Sequence, residues 1–201
     1  MTERMEHLEL FFDVETTGLL KFKEPYEHKE QPFILQLGAV LSDENTIYNK
    51  ISILVTPSDV AFDFVVPEEV VKIHGISKEM VQTGGFTTTA MTEMFSRMLH
   101  KADKIVCHNV DFDRKVIQSA LHRTDAKTTL DILRVKPAFC TMKESTDLCK
   151  LPGKYGKYKW PKLAELYKFL FNEELVGAHD ALVDIMATRR CYYEIMKRRQ
   201  V

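Results

Sequence analysis

The clearest pattern along the chain is a run of apolar residues that ends in two acids. Residues 8–12 are apolar except for Glu9, which predicts a buried β-strand, and Asp13 and Glu15 follow with one apolar residue between them. Because residues two apart in a strand point to the same face, the two carboxylates project together. Neighbouring carboxylates repel each other, and a hard divalent cation with oxygen ligands relieves that repulsion. Taken alone, this stretch is equally compatible with a charged strand end that runs into a turn.

Two further strands are predicted next. Residues 33–41 form a second apolar run, and residues 47–55 alternate between apolar and polar positions as a half-exposed strand does. The polar segment 21–32 contains two prolines and is predicted to be a loop. The short links favour an antiparallel meander of three strands.

The middle of the chain combines helical and strand patterns. One helix is predicted to begin at Pro67, and a second short helix follows the cap residue Ser77. The next helix is amphipathic, and its apolar face comprises Met91, Met94, Phe95, Met98 and Leu99. Residues 104–107 predict a strand that leads into a helix ending at His122, and residues 127–133 predict a weaker fifth strand.

The last third of the chain is predicted to be helical at 140–149, at 163–171 and from 177–180 to about Arg198. The segment 150–162 between the first two of these helices is the most basic stretch of the protein. Its cations and aromatic residues are Lys150, Lys154, Tyr155, Lys157, Tyr158, Lys159, Trp160 and Lys162. A solvated loop is the simple interpretation. Cations interleaved with aromatic rings also suit a nucleic-acid strand, through phosphate contacts and base stacking, and this interpretation is slightly favoured.

Composition sets wider bounds. The chain of 201 residues, 45% of them hydrophobic, is predicted to form a single domain over 1–201. With 28 basic and 29 acidic residues the net charge is −1, so a polyanion would be held by a local basic patch or by metal ions. No apolar run approaches membrane-spanning length, and no membrane partner is expected. The four cysteines form no Cys-x-x-Cys pair, which favours a reduced, cytoplasmic setting.

Two more acids stand near the start of predicted helices. Asp113 lies in a first turn after the strand at 104–107, and Asp184 lies five residues after His179. Each has a simple structural explanation, because an acid stabilises the positive end of a helix dipole and a lone histidine is more often structural than catalytic. The order of the three clusters along the chain is what favours a shared site.

Five segments resemble the DEDDh 3′–5′ exonucleases, the DnaQ-like group that includes the proofreading epsilon subunit of bacterial DNA polymerase III. They are Phe-Asp-Val-Glu-Thr-Thr-Gly-Leu at 12–19, Ile-Leu-Gln-Leu-Gly-Ala-Val at 34–40, Ile-His-Gly-Ile-Ser at 73–77, Cys-His-Asn-Val-Asp-Phe-Asp at 107–113 and Gly-Ala-His-Asp-Ala-Leu-Val-Asp at 177–184. The resemblance implies a ribonuclease-H-like α/β fold, with a mixed five-stranded sheet and helices on both faces.

The same resemblance implies a catalytic site. Its members are Asp13, Glu15, Asp113 and Asp184 as ligands of two Mg²⁺ or Mn²⁺ ions, and His179 as the general base. An imidazole titrates in the range that a base near neutral pH requires, and two ions together stabilise the attacking and leaving oxygens of a phosphodiester. The implied substrate-binding residues are Thr16, Thr17, Gly18, Leu19, His74 and Asn109. The segment 21–32 is longer than the short turn usual in this family, which predicts a reshaped mouth of the site.

The sequence therefore predicts a metal-dependent 3′–5′ exonuclease that releases nucleoside 5′-monophosphates from single-stranded or frayed DNA ends. An exoribonuclease of the oligoribonuclease or RNase T kind is the alternative within the same enzyme class. A proofreading subunit bound to a polymerase is the alternative that depends on a partner, although a stand-alone enzyme of DNA repair or nucleotide scavenging is favoured. The expected location is cytoplasmic or nucleoid-associated.

Overall fold

Six strands form one mixed sheet in the computed structural model, which describes residues 7–177 and 180–199. The strands are β1 (Glu9–Thr16), β2 (Ile34–Ser42), β3 (Ile47–Thr56), β4 (Phe86–Thr87), β5 (Lys104–Cys107) and β6 (Ala138–Cys140). They are ordered β4-β3-β2-β1-β5-β6. The pairs β1–β2 and β2–β3 are antiparallel, which confirms the predicted meander, and the other three pairs are parallel.

Nine α-helices occur in the described residues. They are α1 (Glu68–His74), α2 (Lys78–Gly84), α3 (Thr88–Lys101), α4 (Val110–Arg123), α5 (Lys127–Val135), α6 (Thr141–Glu144), α7 (Thr146–Cys149), α8 (Leu163–Phe171) and α9 (Ala181–Arg199). Short 3₁₀ turns lie at Pro57–Asp59 and Lys154–Gly156. The predicted cap at Ser77 is confirmed, because its side chain accepts a hydrogen bond from the Met80 N–H.

The predicted strand at 127–133 is wrong, and the sheet has six strands instead of five. Residues 127–135 form α5, because Thr129, Leu130 and Leu133 are buried together at a helical spacing. The strand that pairs with β5 is instead β6, which is only three residues long and ends at Cys140. The helix predicted over 140–149 is present as the two short helices α6 and α7. The sixth strand, β4, consists of two residues beside the end of β3.

The alternation predicted for β1 divides the core. Phe12 and Val14 point into the large cluster shared with α3 and α4, whereas Phe11 points to the opposite face and packs against α9. Asp13 and Glu15 have the same parity as Phe11, so they extend the α9 face of the strand. Helices therefore cover both faces of the sheet, as predicted.

Glu9 fixes α9 against the other end of β1. Its two carboxylate oxygens accept hydrogen bonds from Tyr192 (3.2 Å) and Tyr193 (2.8 Å). The Tyr192 ring also makes an edge contact with Phe11, with 5.5 Å between centroids. Since Asp184 lies two turns earlier on α9, these contacts set which part of the helix reaches the far end of β1.

The segment 21–32 is a loop, as predicted, and it has a compact internal structure. Gln31 is 1% exposed, and its side-chain amide donates to the carbonyls of Lys21, Glu24 and Pro25 while its oxygen accepts from the Lys21 N–H. Arg123 at the end of α4 donates to the carbonyls of Gln31 and Pro32. The insertion is thus attached to the body of the fold.

Within residues 7–177 and 180–199, none of the helices is both long enough and apolar enough to cross a membrane.

Candidate active site

Three of the four predicted acids meet at the end of β1. Asp13, Glu15 and Asp184 each offer a carboxylate oxygen, and these oxygens all lie within 4.8 Å of one another. Asp13 and Glu15 come from the strand, and Asp184 comes from the first turn of α9. The structure therefore brings together these three predicted residues, which come from distant segments of the chain.

Asp113 reaches the same place from the other face of the sheet. The parallel pairing of β1 with β5 brings the start of α4 to the end of β1 where the acids lie. Asp113 is 2% exposed, and the nearby backbone N–H of Val14, between Asp13 and Glu15, partly offsets the rise of its pKa. It therefore lies behind Asp13, buried, rather than within the group of three.

The charges of the cluster are mutually unfavourable. Burial, and next the charge of Asp184, raises the pKa of Asp13 to about 7. Burial and the charges of Asp13, Asp184 and Asp180 raise the pKa of Glu15 to about 8. Burial and Asp13 likewise raise the pKa of Asp113 well above its usual range. A cluster with these pKa values holds protons near neutral pH, and a bound cation would replace them.

Gly38 allows α9 to approach the sheet closely. It lies opposite Asp13 in the β1–β2 pair. A Cβ atom at this position would lie 2.4 Å from Ile185 Cδ1 and 3.1 Å from the carbonyl carbon and Cβ of Ala181. A residue without a side chain is therefore needed for Asp184, next to Ile185, to reach Asp13.

Three of the predicted substrate-binding residues that follow Glu15 in the chain line a cleft. Thr17, Gly18 and Leu19 border a cavity of about 290 Å³, and the Leu19 side chain is 88% exposed at its edge. Thr16 Oγ1 donates to the Gly18 carbonyl (2.7 Å), and Thr17 Oγ1 accepts from the Phe33 N–H (3.0 Å). These hydrogen bonds hold the turn that displays Leu19.

His74 joins this turn through its ring. Its Nδ1 accepts from the Ile76 N–H (3.0 Å), so Nε2 carries the proton and donates to the Thr16 carbonyl (3.3 Å). The structure thus places His74 beside the predicted substrate-binding residues. Asn109 adopts a left-handed conformation (φ 86°) directly before α4, where it turns the chain toward Asp113.

Two further assignments concern the start of α9. Asp180 accepts hydrogen bonds from the N–H groups of Leu182 (2.9 Å) and Val183 (3.1 Å), so it caps the helix. His179, the predicted general base, lies outside the residues that the structure describes. Glu9 and Gly38 are the positioning residues that the sequence reading missed. Positions 9, 11, 13 and 15 of β1 point to the same face of the sheet, and this alternation is the sequence signal that places Glu9 on the face of Asp13 and Glu15.

Comparison with known proteins identifies the family. The sequence profile of RNase_T, described as "Exonuclease", matches residues 10–192. The chain belongs to this exonuclease family. The expectation of an exonuclease enzyme is therefore confirmed, and with it the assignment to the DnaQ-like superfamily. A particular similarity to the epsilon subunit stays a prediction. No significant match is found among curated protein sequences.

Solved structures of Escherichia coli exonuclease I share the fold. A complex with a dT13 oligonucleotide matches with a TM-score of 0.72 and 20% identity, covering 96% of this chain and 42% of that one. A complex with a 5cy-dT13 oligonucleotide gives 0.74 and 20% over 98% and 42%, and a zinc-bound complex with single-stranded DNA gives 0.72 and 21% over 96% and 41%. The ribonuclease-H-like fold is confirmed. The chain spans about two fifths of the exonuclease I chains that it matches.

The acid cluster fits a divalent metal centre. Its donors are carboxylate oxygens, which Mg²⁺ and Mn²⁺ prefer, and their mutual repulsion is what a cation would relieve. Asp13, Glu15 and Asp184 are the residues that would hold the ions directly, with Asp113 supporting them from behind.

Proposed function

We propose that this chain is a metal-dependent 3′–5′ exonuclease that acts on single-stranded DNA and releases nucleoside 5′-monophosphates. The observation that carries the proposal is the convergence of Asp13, Glu15 and Asp184 at the end of β1 in a chain of the exonuclease family. When bound there, two divalent cations would activate water and stabilise the leaving 3′ oxygen.

Each protein group has a distinct task in this proposal. Asp13, Glu15 and Asp184 bind the cations, and the buried Asp113 supports them from the other face of the sheet. His179 accepts the proton of the attacking water. The exposed Leu19 side chain packs beside the terminal base, and the Thr16–Thr17 turn holds the terminal sugar.

DNA is proposed as the substrate because exonuclease I, which shares the fold, has been solved with deoxyoligonucleotides. The likeness is at the level of the fold, so the competing ribonuclease activity is tested in the same experiment. Deoxy- and ribo-oligonucleotides of equal sequence are offered together, since the 2′-hydroxyl is the difference that the pocket senses.

The experiment follows a 5′-labelled single-stranded oligonucleotide over time with Mg²⁺, with Mn²⁺ and with EDTA. The expected product is a metal-dependent ladder that shortens from the 3′ end. Asp13→Asn should reduce the rate by more than the roughly 10–100-fold that loss of a supporting residue costs. Its thermal stability should be unchanged or higher, because the substitution removes a buried, repelled charge.

A second variant separates the base from the metal site. His179→Ala should lose hydrolysis while retaining stabilisation by Mg²⁺ in thermal unfolding, since the acids remain. Full activity of Asp13→Asn would remove the site assignment. A ladder with RNA alone would replace DNA by RNA as the substrate.

A stand-alone role in repair or nucleotide scavenging, a polymerase or repair partner, a single domain over 1–201 and a cytoplasmic or nucleoid location stay predictions.

A further inference from the structure

The basic segment 150–162 is a closed hairpin rather than an open loop; we call it the basic hairpin. The Gly153 N–H donates to the Lys157 carbonyl and the Lys159 N–H donates to the Leu151 carbonyl, both at 3.0 Å. A Cβ atom on Gly153 would lie 2.6 Å from the Lys157 carbonyl oxygen, so the two arms are in close contact. Leu151, at the base of the hairpin, packs against the apolar cluster of α8 and α9.

The tip of the basic hairpin presents an aromatic ring to solvent. Tyr155 lies in the left-handed region (φ 56°) and is 97% exposed, and Gly156 follows with φ 71°. Such a backbone is unfavourable for a residue with a Cβ, so the hairpin displays Tyr155 at a conformational cost. Trp160, at the root, is 60% exposed. Both rings offer a face on which a base can stack.

The hairpin is also positively charged. Residues 150–162 contain five lysines and no acidic residue. Lys159 is paired with Glu165 (2.5 Å), whereas Lys154 and Lys157 at the tip form no ion pair with any described residue. Two cations therefore flank Tyr155, which is the arrangement that a sugar-phosphate backbone complements.

The base of the hairpin lies at the end of the sheet where the acids are located. Phe11 pairs with Val106 in a parallel ladder, so the chain leaves β5 toward His108 at the same end of the sheet at which β1 carries Asp13 and Glu15. The His108 ring accepts from the Thr141 hydroxyl (2.9 Å) and donates to the Pro161 carbonyl (3.1 Å), which ties the hairpin to this end.

A second link joins the hairpin to α4. The Lys143 ammonium lies 5.9 Å from the Trp160 ring centroid and pairs with Asp111, two residues before Asp113. A single-stranded nucleic acid whose 3′ end lies at the acids would therefore meet the hairpin, a charged and aromatic surface, at the same end of the sheet.

We propose that the basic hairpin holds the single strand on the 5′ side of the nucleotide being released, by stacking of bases on Tyr155 and Trp160 and by phosphate contacts with Lys154 and Lys157. This proposal rests on the proposed function, because it assigns the path along which the nucleic-acid substrate of the acid cluster runs.

Trp160 is the only tryptophan of the chain, so its fluorescence reports directly on the hairpin. A deoxythymidine 20-mer with phosphorothioate 3′-terminal linkages, which resist cleavage, is titrated into the full chain with Mg²⁺. Quenching of Trp160 emission should parallel binding measured by anisotropy of a labelled copy. Binding without any change in Trp160 emission would place the strand elsewhere.

Substitutions then identify the contacts. Tyr155→Ala should weaken the 20-mer Kd roughly 10-fold, the scale of one lost stacking contact, whereas Tyr155→Phe should retain the affinity. Lys154→Ala with Lys157→Ala should lower the slope of log Kd against log salt by about 1.4, because each phosphate contact on a single strand accounts for about 0.7. The matched charge control is Lys50→Ala with Lys101→Ala, because these two lysines, in β3 and at the end of α3, are also exposed and form no ion pair with any described residue.

Hydrolysis of the dinucleotide d(TpT) separates the two proposals. If the proposal is right, the hairpin variants cleave d(TpT) as the unmodified chain does while binding the 20-mer more weakly. If the 20-mer affinity and the salt slope are unchanged in all variants, the proposed role of the hairpin is overturned, whereas the proposed exonuclease function remains valid. A third result is that the unmodified chain binds the 20-mer but cleaves neither substrate, while the hairpin variants lose that binding. This result would support the role of the hairpin and overturn the proposed function.

Discussion

Replacement of Gly38 by alanine tests whether the approach of α9 to the sheet determines the site. The new methyl group would lie 2.4 Å from Ile185 Cδ1 and 3.1 Å from Ala181. Ile185 is buried among Phe11, Val40 and Tyr192, so its side chain has little room to turn away. Either the side chain leaves its rotamer or the start of α9, with Asp184, moves outward.

The expected cost follows from this overlap. Overpacking of a buried site costs about 1–3 kcal/mol, which in a chain of this size corresponds to a loss of about 2–12 °C in Tm. Since a displacement of 1 Å can cost about 100-fold in rate, a shift of a few tenths of an ångström should lower exonuclease activity roughly 5- to 10-fold. The Mg²⁺ concentration for half-maximal activity should rise.

Thermal unfolding and Mg²⁺-dependent hydrolysis measure the two effects. Gly84→Ala is the matched control, because a Cβ there meets no atom within 4 Å. Ile185→Val removes the atom at 2.4 Å, so the double variant Gly38→Ala, Ile185→Val should be more stable than the sum of the single changes predicts. A Gly38→Ala protein with unchanged Tm and Mg²⁺ dependence, or one that Ile185→Val does not improve, would refute the argument.

The remaining predictions concern titration and the insertion. The pKa values of Asp13 and Glu15 are raised to about 7 and 8, so the folded chain without metal loses stability as pH rises from about 4 to 8. The Tm gain from Mg²⁺ over EDTA should therefore grow across that range. An equal gain at pH 5.5 and 8.5 would contradict this prediction. Burial lowers the pKa of His108 to about 4, so stability should fall as pH drops below about 6.5, and His108→Gln should flatten that part of the profile of Tm against pH. Gln31→Ala should destabilise the chain by about 2 kcal/mol and expose 21–32 to proteases, because several backbone groups lose their partner; resistance equal to that of the unmodified chain would argue otherwise.

Local patterns were sufficient to predict much of the site. The period of two in β1 placed Asp13 and Glu15 on one face, and the start of α9 was expected near Asp180. The convergence of these segments with Asp113 depended on the family resemblance, because no local pattern shows which strands become neighbours. Asp113 is buried because α4 packs against β1, and this packing between distant segments is not encoded in a local side-chain pattern.

The errors have similar causes. Residues 127–133 contain threonines and branched apolar residues that favour strands, but burial against α3 and α4 selects a helix. The strand β6 is too short to show an alternation, and its pairing with β5 defines it. The internal order of 21–32 depends on Gln31 and Arg123, which act over distances along the chain that a sequence window does not span.

The site combines the first strand of the chain with its last described helix, and this has a consequence for biosynthesis. A chain still emerging from the ribosome can fold β1 with β2 and β3 while the segment of α9 has yet to be translated. Such a nascent chain presents Asp13 and Glu15 without Asp184 and without the helix that Glu9 holds in place. Translation must pass α9 before cations can be bound in the complete cluster, so we expect nascent chains and chains truncated before α9 to lack exonuclease activity.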